Sequence, residues 1–528
     1  MSGARTRSAT LDGMRGRLVE IEVDVAPGLP KITLVGLPDA SLSEARDRCR
    51  AAVTNSGCQW PDRKVTVNLS PTVLPKMGVH YDLGIALAVL AATRAVPQSA
   101  LDGTLVLGEL ALDGRLRAVT GVLPATLAGA AAGCRRVIVP EANVPEAELV
   151  EDLAVVGVRS LRHAVAVLTG QPVPDDPEVE ALPAAGTTAW QHAERLASLD
   201  LVDVVGQHEA RASIVVAAAG GHNVLLDGPP GVGKTMLAQR MPALLPDLDR
   251  DQSLETTAVY SIAGLLSEDG GLLTRPPFVD PHHTASAASV VGGGSRFIRP
   301  GSLSLAHHGI LFLDEAPEFQ RPVLNALRQP LESGHVTVSR AAHTAEYPAR
   351  FQLVLAANPC PCGFDSGQAS DCECSATAKR RYQDKIALPI RDRIDVQRTV
   401  TGPGRRELES ALSRGVPTKV VAEQVALARE RQAHRYAGTP WRTNSDVPAG
   451  DLHRRWPLDD VGALEIDRLV RRHVLSPRSS DRVVRLSWTV ADLLGLPAPT
   501  IAEVRTALAL RRSQPLEGAL VSLVESAA

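Results

Sequence analysis

A glycine-rich loop near the middle of the chain constrains the possible folds more than any other feature. Residues 228–235 read GPPGVGKT, which fits the G-x-x-x-x-G-K-[ST] pattern, and they lie between a short apolar run and a helical stretch. In this strand–loop–helix context the glycines let backbone N–H groups turn inward around phosphates, at a helix N-terminus that favours an anion. The sequence therefore predicts a nucleoside triphosphate site beside a parallel sheet. The predicted phosphate-binding residues are Gly228, Pro229, Pro230, Gly231, Val232, Gly233, Lys234 and Thr235.

Two strand ends further along the chain would complete such a site. One apolar run leads into Asp314 and Glu315, and a second leads into Asn358. Because the carboxyl ends of parallel strands meet at one edge of a sheet, these side chains are expected to face the loop. We expect Lys234 to neutralise the β- and γ-phosphates, and Thr235 and Asp314 to hold Mg²⁺. Glu315 would then polarise the attacking water, and Asn358 either orients that water or only forms a turn.

Hydrophobic patterning divides the chain into four parts. Residues 1–170 mix short alternating strands with helices, which predicts a compact α+β or α/β unit. Residues 171–198 begin with a proline-rich, acidic stretch without apolar periodicity, and are expected to form a linker. Residues 199–400 alternate strands and helices, as in an α/β parallel-sheet module, and residues 401–528 have only helical patterns.

Charge and composition limit the partners. The 56 basic and 59 acidic side chains nearly cancel, so any nucleic-acid contact must be a local patch. Aromatic residues make up 3% of the chain, which disfavours extended base stacking. The arginines of the N-terminus precede no apolar stretch, and no run is long enough to span a bilayer. We therefore expect a cytoplasmic protein that does not enter membranes.

Four of the seven cysteines form two close pairs. Cys360 and Cys362 are separated from Cys372 and Cys374 by nine residues. Four thiolates spaced in this way would suit a tetrahedral Zn²⁺, which would brace the loop after Asn358 rather than take part in catalysis. The C-x-C spacing is tighter than the usual C-x₂-C, so reduced free thiols or a redox-labile pair remain alternatives.

Several further motifs resemble those of AAA+ ATPases in their magnesium-chelatase-like branch. Residues 204–207 resemble the adenine-side segment of these proteins, which adds Val205, Gly206 and Gln207 to the nucleotide site. Residues 256–305 resemble the long insert of this branch, and residues 329–350 the hairpin that precedes its sensor strand. Within the branch, the chain is similar to the YifB/ComM family. The motifs that carry this similarity are residues 46–57, 68–71, 74–76, 82–86 and 358–363.

The resemblance implies both an architecture and an activity. The expected fold is α/β, a P-loop AAA+ parallel-sheet module with a helical C-terminal lid. A Lon-like α+β domain, similar to ribosomal S5 domain 2, would precede it. The family further implies a homohexameric ring that uses ATP and Mg²⁺ as a DNA helicase in branch migration, on branched or single-stranded DNA. Arg393 matches the finger that reaches a neighbour's γ-phosphate, and Arg478 matches a second sensor on the nucleotide of its own subunit.

Candidate DNA-facing residues and rival functions follow from the same resemblance. The DNA-facing candidates are His282, His283, Arg296 and Arg299 in the insert, and His335 and Arg340 in the hairpin. One rival function is a magnesium-chelatase motor subunit acting on a porphyrin, and another is an AAA+ chaperone that remodels proteins. No base-reading motif in the sequence favours DNA independently of the family.

Overall fold

Two β-sheets covered by helices carry the fold in the computed structural model. The structure describes residues 2–36, 40–72, 80–182, 189–266, 271–294, 298–339, 344–365, 372–403, 416–516 and 518–525. None of the helices in this part of the chain has the length and hydrophobicity that a bilayer crossing requires.

The first sheet is built from the N-terminal residues. Its strands are β1 (Ser2–Asp12), β2 (Arg15–Ala26), β3 (Lys31–Val35), β4 (Lys64–Ser70), β5 (Thr104–Val106), β6 (Arg136–Pro140) and β7 (Ala154–Val158), in the spatial order β3-β4-β2-β1-β5-β6-β7. Strands β1 and β2 form a long antiparallel hairpin, whereas β1, β5, β6 and β7 run parallel. The helices of this unit are α1 (Ala40–Asn55), α2 (Asp82–Ala92), α3 (Val122–Ala131) and α4 (Leu161–Thr169). The predicted mixture of strands and helices is confirmed, and the Lon-like assignment stays a prediction.

The second sheet is parallel throughout, as the sequence predicts. Its strands are β8 (Val224–Asp227), β9 (Phe278–Val279), β10 (Ile310–Leu313), β11 (Gln352–Ala357) and β12 (Val396–Thr399), in the spatial order β9-β10-β11-β8-β12. Every residue of β10 and β11 is buried, which explains why both read as apolar runs apart from Gln352 at the start of β11. Strand β8 lies between β11 and β12, so the loop after β8 is flanked by the carboxyl ends of both neighbours.

Helices surround the second sheet and form the C-terminal region. They are α5 (His208–Gly220), α6 (Lys234–Arg240) and α7 (Arg250–Ala263), followed after the sheet by α8 (Thr418–Arg435), α9 (Asp460–Arg471), α10 (Pro477–Leu494), α11 (Ile501–Arg511) and α12 (Ala519–Glu525). Further helices along the described chain are Val144–Ala147, Ala189–Ala197, Ala287–Val291, Ser302–Leu305, Arg321–Ala326, Arg328–Ser333, Ala376–Gln383, Leu388–Arg391 and Ala449–Arg455. Small antiparallel pairs are Glu109–Leu110 with Leu116–Arg117, Gly292–Gly293 with Arg299–Pro300, and His335–Ser339 with Thr344–Pro348. The predicted helical C-terminal region is confirmed.

Two segments are more regular than expected. The predicted linker contains the helix Ala189–Ala197, whose Leu196 is buried in the core beneath the second sheet. The expected insert, residues 256–305, contains β9, which pairs with β10 at the edge of the sheet. The predicted linker and insert are therefore partly packed into the second sheet and its core.

The N-terminal unit and the second sheet share a continuous apolar core. Leu11 and Val122 from the N-terminal unit join Ala258 and Ile262 of α7 in one buried cluster. At this contact the buried carboxyl group of Glu146 accepts hydrogen bonds from the Leu123 N–H at 2.7 Å and from the Ser261 hydroxyl. Burial raises the pKa of Glu146, and these donors oppose the effect. The N-terminal unit is thus attached to α7.

Candidate nucleotide-binding site

The glycine-rich loop connects β8 to α6 through left-handed backbone positions. Gly231 has φ of 81° and Gly233, the residue before α6, has φ of 91°. L side chains disfavour this region, which explains glycine at both positions. At Gly228 the constraint is space, because an added Cβ would lie 2.2 Å from the Val400 carbonyl oxygen at the end of β12. The loop is therefore shaped by β12 as well as by its own sequence.

Lys234 points its ammonium group into this loop. Its side chain is 8% exposed, and Nζ donates to the carbonyl oxygens of Gly228 (2.6 Å) and Pro229 (2.9 Å). Nζ also donates to Asn358 Oδ1 at 3.0 Å, which ties the end of β11 to the loop. Burial lowers the pKa of Lys234, whereas nearby carboxylates, that of Asp314 foremost, oppose the shift. The ammonium is thus positioned where a loop of this kind binds β- and γ-phosphates.

Thr235 and Asp314 form an oxygen pair suited to Mg²⁺. The Thr235 hydroxyl donates to Asp314 Oδ2 at 2.7 Å, and Asp314 Oδ1 accepts the Glu315 N–H at 2.9 Å. Hydroxyl and carboxylate oxygens, completed by water and phosphate, are the donors that this hard cation prefers. The residues present therefore fit the ion that the motif implies.

Glu315 adopts a strained conformation at the edge of the sheet. Its φ is 50°, which is unusual for a residue with a side chain, and such strain is often found at functional sites. The side chain is 51% exposed, and its Oε2 lies 3.4 Å from His283 Nδ1. The sequence grouped His283 with the DNA-facing candidates, and the structure places it beside Glu315. No spacing rule indicates this contact, because the route of the insert after β9 creates it.

The adenine-side segment is bound to the phosphate loop. Gln207 has φ of 53° and precedes α5; its Nε2 donates to the carbonyl oxygens of Val232 (2.6 Å) and Thr401 (3.1 Å). Val205 and Gly206 lie immediately before it and are partly buried. The structure thus brings the predicted adenine-side segment to the loop.

Arg393 lies at the opposite end of β8 from Lys234. Its carbonyl oxygen accepts a hydrogen bond from Asn223 Nδ2 at 2.9 Å, and Asn223 is the residue before β8. At about 3.3 Å per residue, the length of the strand separates this position from the phosphate loop of the same chain. The Arg393 side chain is 13% exposed and forms an ion pair with Glu332, a partner that the sequence did not indicate.

Arg478 lies beside Arg393 and not at its own phosphate loop. It is an exposed residue at the start of α10, and its charge adds to the burial that lowers the pKa of Arg393. One turn later Arg482 pairs with Asp395, whose N–H donates to the Asn223 carbonyl oxygen at 3.0 Å. The start of α10 therefore packs where the strands begin. The role of Arg478 as a second sensor on the nucleotide of its own subunit stays a prediction.

The four paired cysteines come together beside the site. Cys360 Sγ lies 3.2 Å from Cys362 Sγ and 3.6 Å from Cys372 Sγ, and the sulfur atoms of Cys362 and Cys372 are 3.5 Å apart. With Cys374, the four sulfur atoms all lie within 4.8 Å of one another. A single four-thiol cluster has formed from the two pairs.

The remaining DNA-facing candidates lie on the insert and on the hairpin that follows it. Arg299 and His282 are exposed, and His335 begins the hairpin whose strands are His335–Ser339 and Thr344–Pro348. Arg296 and Arg340 lie outside the described residues. The described candidates, His282, Arg299 and His335, stay predictions as DNA contacts.

Comparison with known proteins gives matches along most of the chain. Family models described as "Subunit ChlI of Mg-chelatase", "Magnesium chelatase, subunit ChlI" and "Magnesium chelatase, subunit ChlI C-terminal" match residues 21–143, 200–408 and 415–511. An uncharacterized protein of Mycobacterium tuberculosis is 48% identical over 97% of this chain and 99% of its own length. YifB of Escherichia coli, also described as uncharacterized, is 38% identical over 93% of both chains. The competence protein ComM of Haemophilus influenzae is 40% identical over 94% of both chains.

Proposed function

The chain belongs to the YifB/ComM family of magnesium-chelatase-like AAA+ proteins, and on this premise we propose that it is a ring-forming, Mg²⁺-dependent ATPase that moves DNA. The observation that carries the ATPase proposal is the joining of three strand ends at one site. Lys234 bonds to Asn358, and Thr235 bonds to Asp314. The DNA proposal rests on the family resemblance and on the competence function named for ComM.

The chemistry that we propose needs little rearrangement of this chain. Lys234 neutralises charge on the β- and γ-phosphates, while Thr235 and Asp314 hold Mg²⁺, which supplies further charge neutralisation. Glu315 is exposed enough to polarise a water molecule aligned with the γ-phosphate, and Asn358 orients that water. The cofactors proposed for this site are ATP and Mg²⁺. A structural Zn²⁺ ion is proposed separately for the four-cysteine cluster. The proposed location of the protein is the cytoplasm.

Both arginines serve the nucleotide of a neighbouring subunit in this proposal. Arg393 and Arg478 lie where the strands of the second sheet begin, whereas Lys234 lies where they end. In a closed head-to-tail ring, each subunit presents one surface to the opposite surface of its neighbour. Two guanidinium groups from one subunit can therefore complete the site of the next. The number of subunits in the proposed homohexamer rests on the family resemblance alone. An arginine supplied in this way makes assembly a condition of rapid hydrolysis.

Substrate stimulation separates this function from its two rivals. We expect forked DNA or a four-way junction to stimulate ATP hydrolysis, and wild-type protein to drive branch migration of that junction. Lys234→Ala, Glu315→Gln and Arg393→Ala should abolish migration. Raising the salt concentration should weaken DNA binding steeply, because basic side chains that bind DNA phosphates release counterions, and this release is less favourable at high salt. Stimulation by a porphyrin-binding partner or by unfolded protein, without a response to DNA, would instead support the chelatase or chaperone function.

A further inference from the structure

We propose that Cys360, Cys362, Cys372 and Cys374 bind one Zn²⁺ ion, and that this ion braces the wall of the phosphate-binding loop. The metal site stands on its own geometry, whereas the brace rests on the proposed ATPase function. The three sulfur separations of 3.2, 3.5 and 3.6 Å are close to the edge of a ZnS₄ tetrahedron, about 3.8 Å for Zn–S bonds of about 2.3 Å.

Each cysteine pair is attached to regular structure. Cys360 is buried and follows β11 closely, and Cys374 precedes Ser375, which caps the helix Ala376–Gln383 by accepting the Ala378 N–H at 3.2 Å. An ion pair of 2.9 Å between Lys379 and Asp365 joins that helix to the segment after Cys362. Two thiols from a strand end and two from a helix start thus converge, and soft thiolates select Zn²⁺ over Mg²⁺.

The residues on either side of the first cysteine pair, Cys360 and Cys362, lie against the phosphate loop. Asn358, the acceptor for Lys234, lies two residues before Cys360. Gly363, directly after Cys362, has φ of 83°, and a Cβ at this position would lie 2.8 Å from Pro230 Cδ of the phosphate loop. Because the segment from Asn358 to Gly363 lies against the loop, fixing its sulfur atoms on a metal ion fixes Asn358 and supports Pro230.

Metal content tests the site without relying on activity. Full-length protein should contain one equivalent of zinc per chain by elemental analysis, and Cys372→Ser should lose it. Cys58→Ser, which changes a thiol outside the cluster, is the matched control and should keep the ion. Replacement by Co²⁺ should give the absorption of a tetrahedral thiolate complex. Wild-type protein stripped with a chelator provides the same comparison if Cys372→Ser does not fold.

The brace is tested by ATP hydrolysis before and after stripping. Losing the ion should lower kcat on the order of tenfold, because a displaced supporting group misplaces the reacting groups. Readdition of Zn²⁺ should restore kcat. Protein without zinc that gives no Co²⁺ spectrum under reducing conditions would overturn the metal site. Bound zinc whose removal leaves kcat unchanged would overturn the brace, and a zinc-loaded wild type without ATPase activity would overturn the proposed function instead.

Discussion

Mixing two inactive variants tests the head-to-tail arrangement directly. Lys234→Ala removes the ammonium group that points into the glycine-rich loop, and Arg393→Ala removes the guanidinium group at the other end of β8. Each variant alone should be nearly inactive, since an arginine finger is worth about 10³-fold or more in kcat. If the two groups meet at one site only across a subunit boundary, the variants should complement each other in mixed rings.

The size of the restored activity follows from this geometry. In an equal mixture, about half of the sites have an intact Lys234 loop, and about half of those face an intact Arg393, so about one quarter of the sites work. An equal mixture of wild type with the double variant carries the same number of changed residues and is the matched control. If the arginine acts on the neighbouring subunit, about one quarter of the sites in this control mixture should also be active.

The assay is steady-state ATP hydrolysis after the subunits have exchanged, with ring assembly checked by light scattering. Arg478→Ala should complement Lys234→Ala in the same way, because Arg478 lies beside Arg393. No recovery in the mixture of single variants, together with about half of wild-type activity in the control mixture, would refute the reasoning, since that result requires both groups to act within one subunit.

Three further outcomes follow from individual contacts. Asn358→Ala should lower kcat by about tenfold or more with little change in ATP affinity, measured by hydrolysis and nucleotide titration; an unchanged kcat would identify Asn358 as only a turn former. Ser261→Ala should lower the urea-derived free energy of unfolding by about 2 kcal/mol, because it removes a donor to buried Glu146, and an unchanged midpoint would contradict that role. Burial lowers the pKa of His307 from 6.5 to about 4 although Glu255 opposes the shift, so the unfolded chain binds more protons between these values. Stability should therefore fall by about 3 kcal/mol as the pH drops through this window, and urea unfolding of His307→Gln should show a flatter pH dependence.

The sequence predicted those parts of the site that directly follow an apolar strand along the chain. The phosphate loop and the Asp314-Glu315 pair each follow an apolar strand, and a parallel sheet brings the carboxyl ends of its strands to one edge. The same logic anticipated Asn358 at the loop, where it bonds to Lys234. These predictions needed only local chain direction and the burial of short apolar segments.

Contacts that depend on how distant segments pack could not be predicted in this way. The motif around Arg478 indicates a helix start, but not which end of the sheet that helix covers; packing of Arg482 on Asp395 decides this. The position of His283 depends on the route of the chain after β9. The ion pair of Arg393 with Glu332 joins two charged residues that nothing in the sequence marks as partners. Pairwise charge patterns are too common along a chain to identify such partners.

The segment between β11 and β12 connects the phosphate loop to the opposite end of the second sheet. It begins with Asn358 at the phosphate loop, passes through the cysteine cluster, and reaches Arg393 at the other end of the sheet. Arg393 is also paired with Glu332, close before the hairpin that begins at His335. Under the proposed function, a change at one nucleotide would displace the arginine proposed to serve the next subunit, and a displacement of the hairpin would reach the same arginine through Glu332. In a ring that moves DNA, the segment between β11 and β12 would respond both to the nucleotide of its own subunit and to the surface proposed to face DNA.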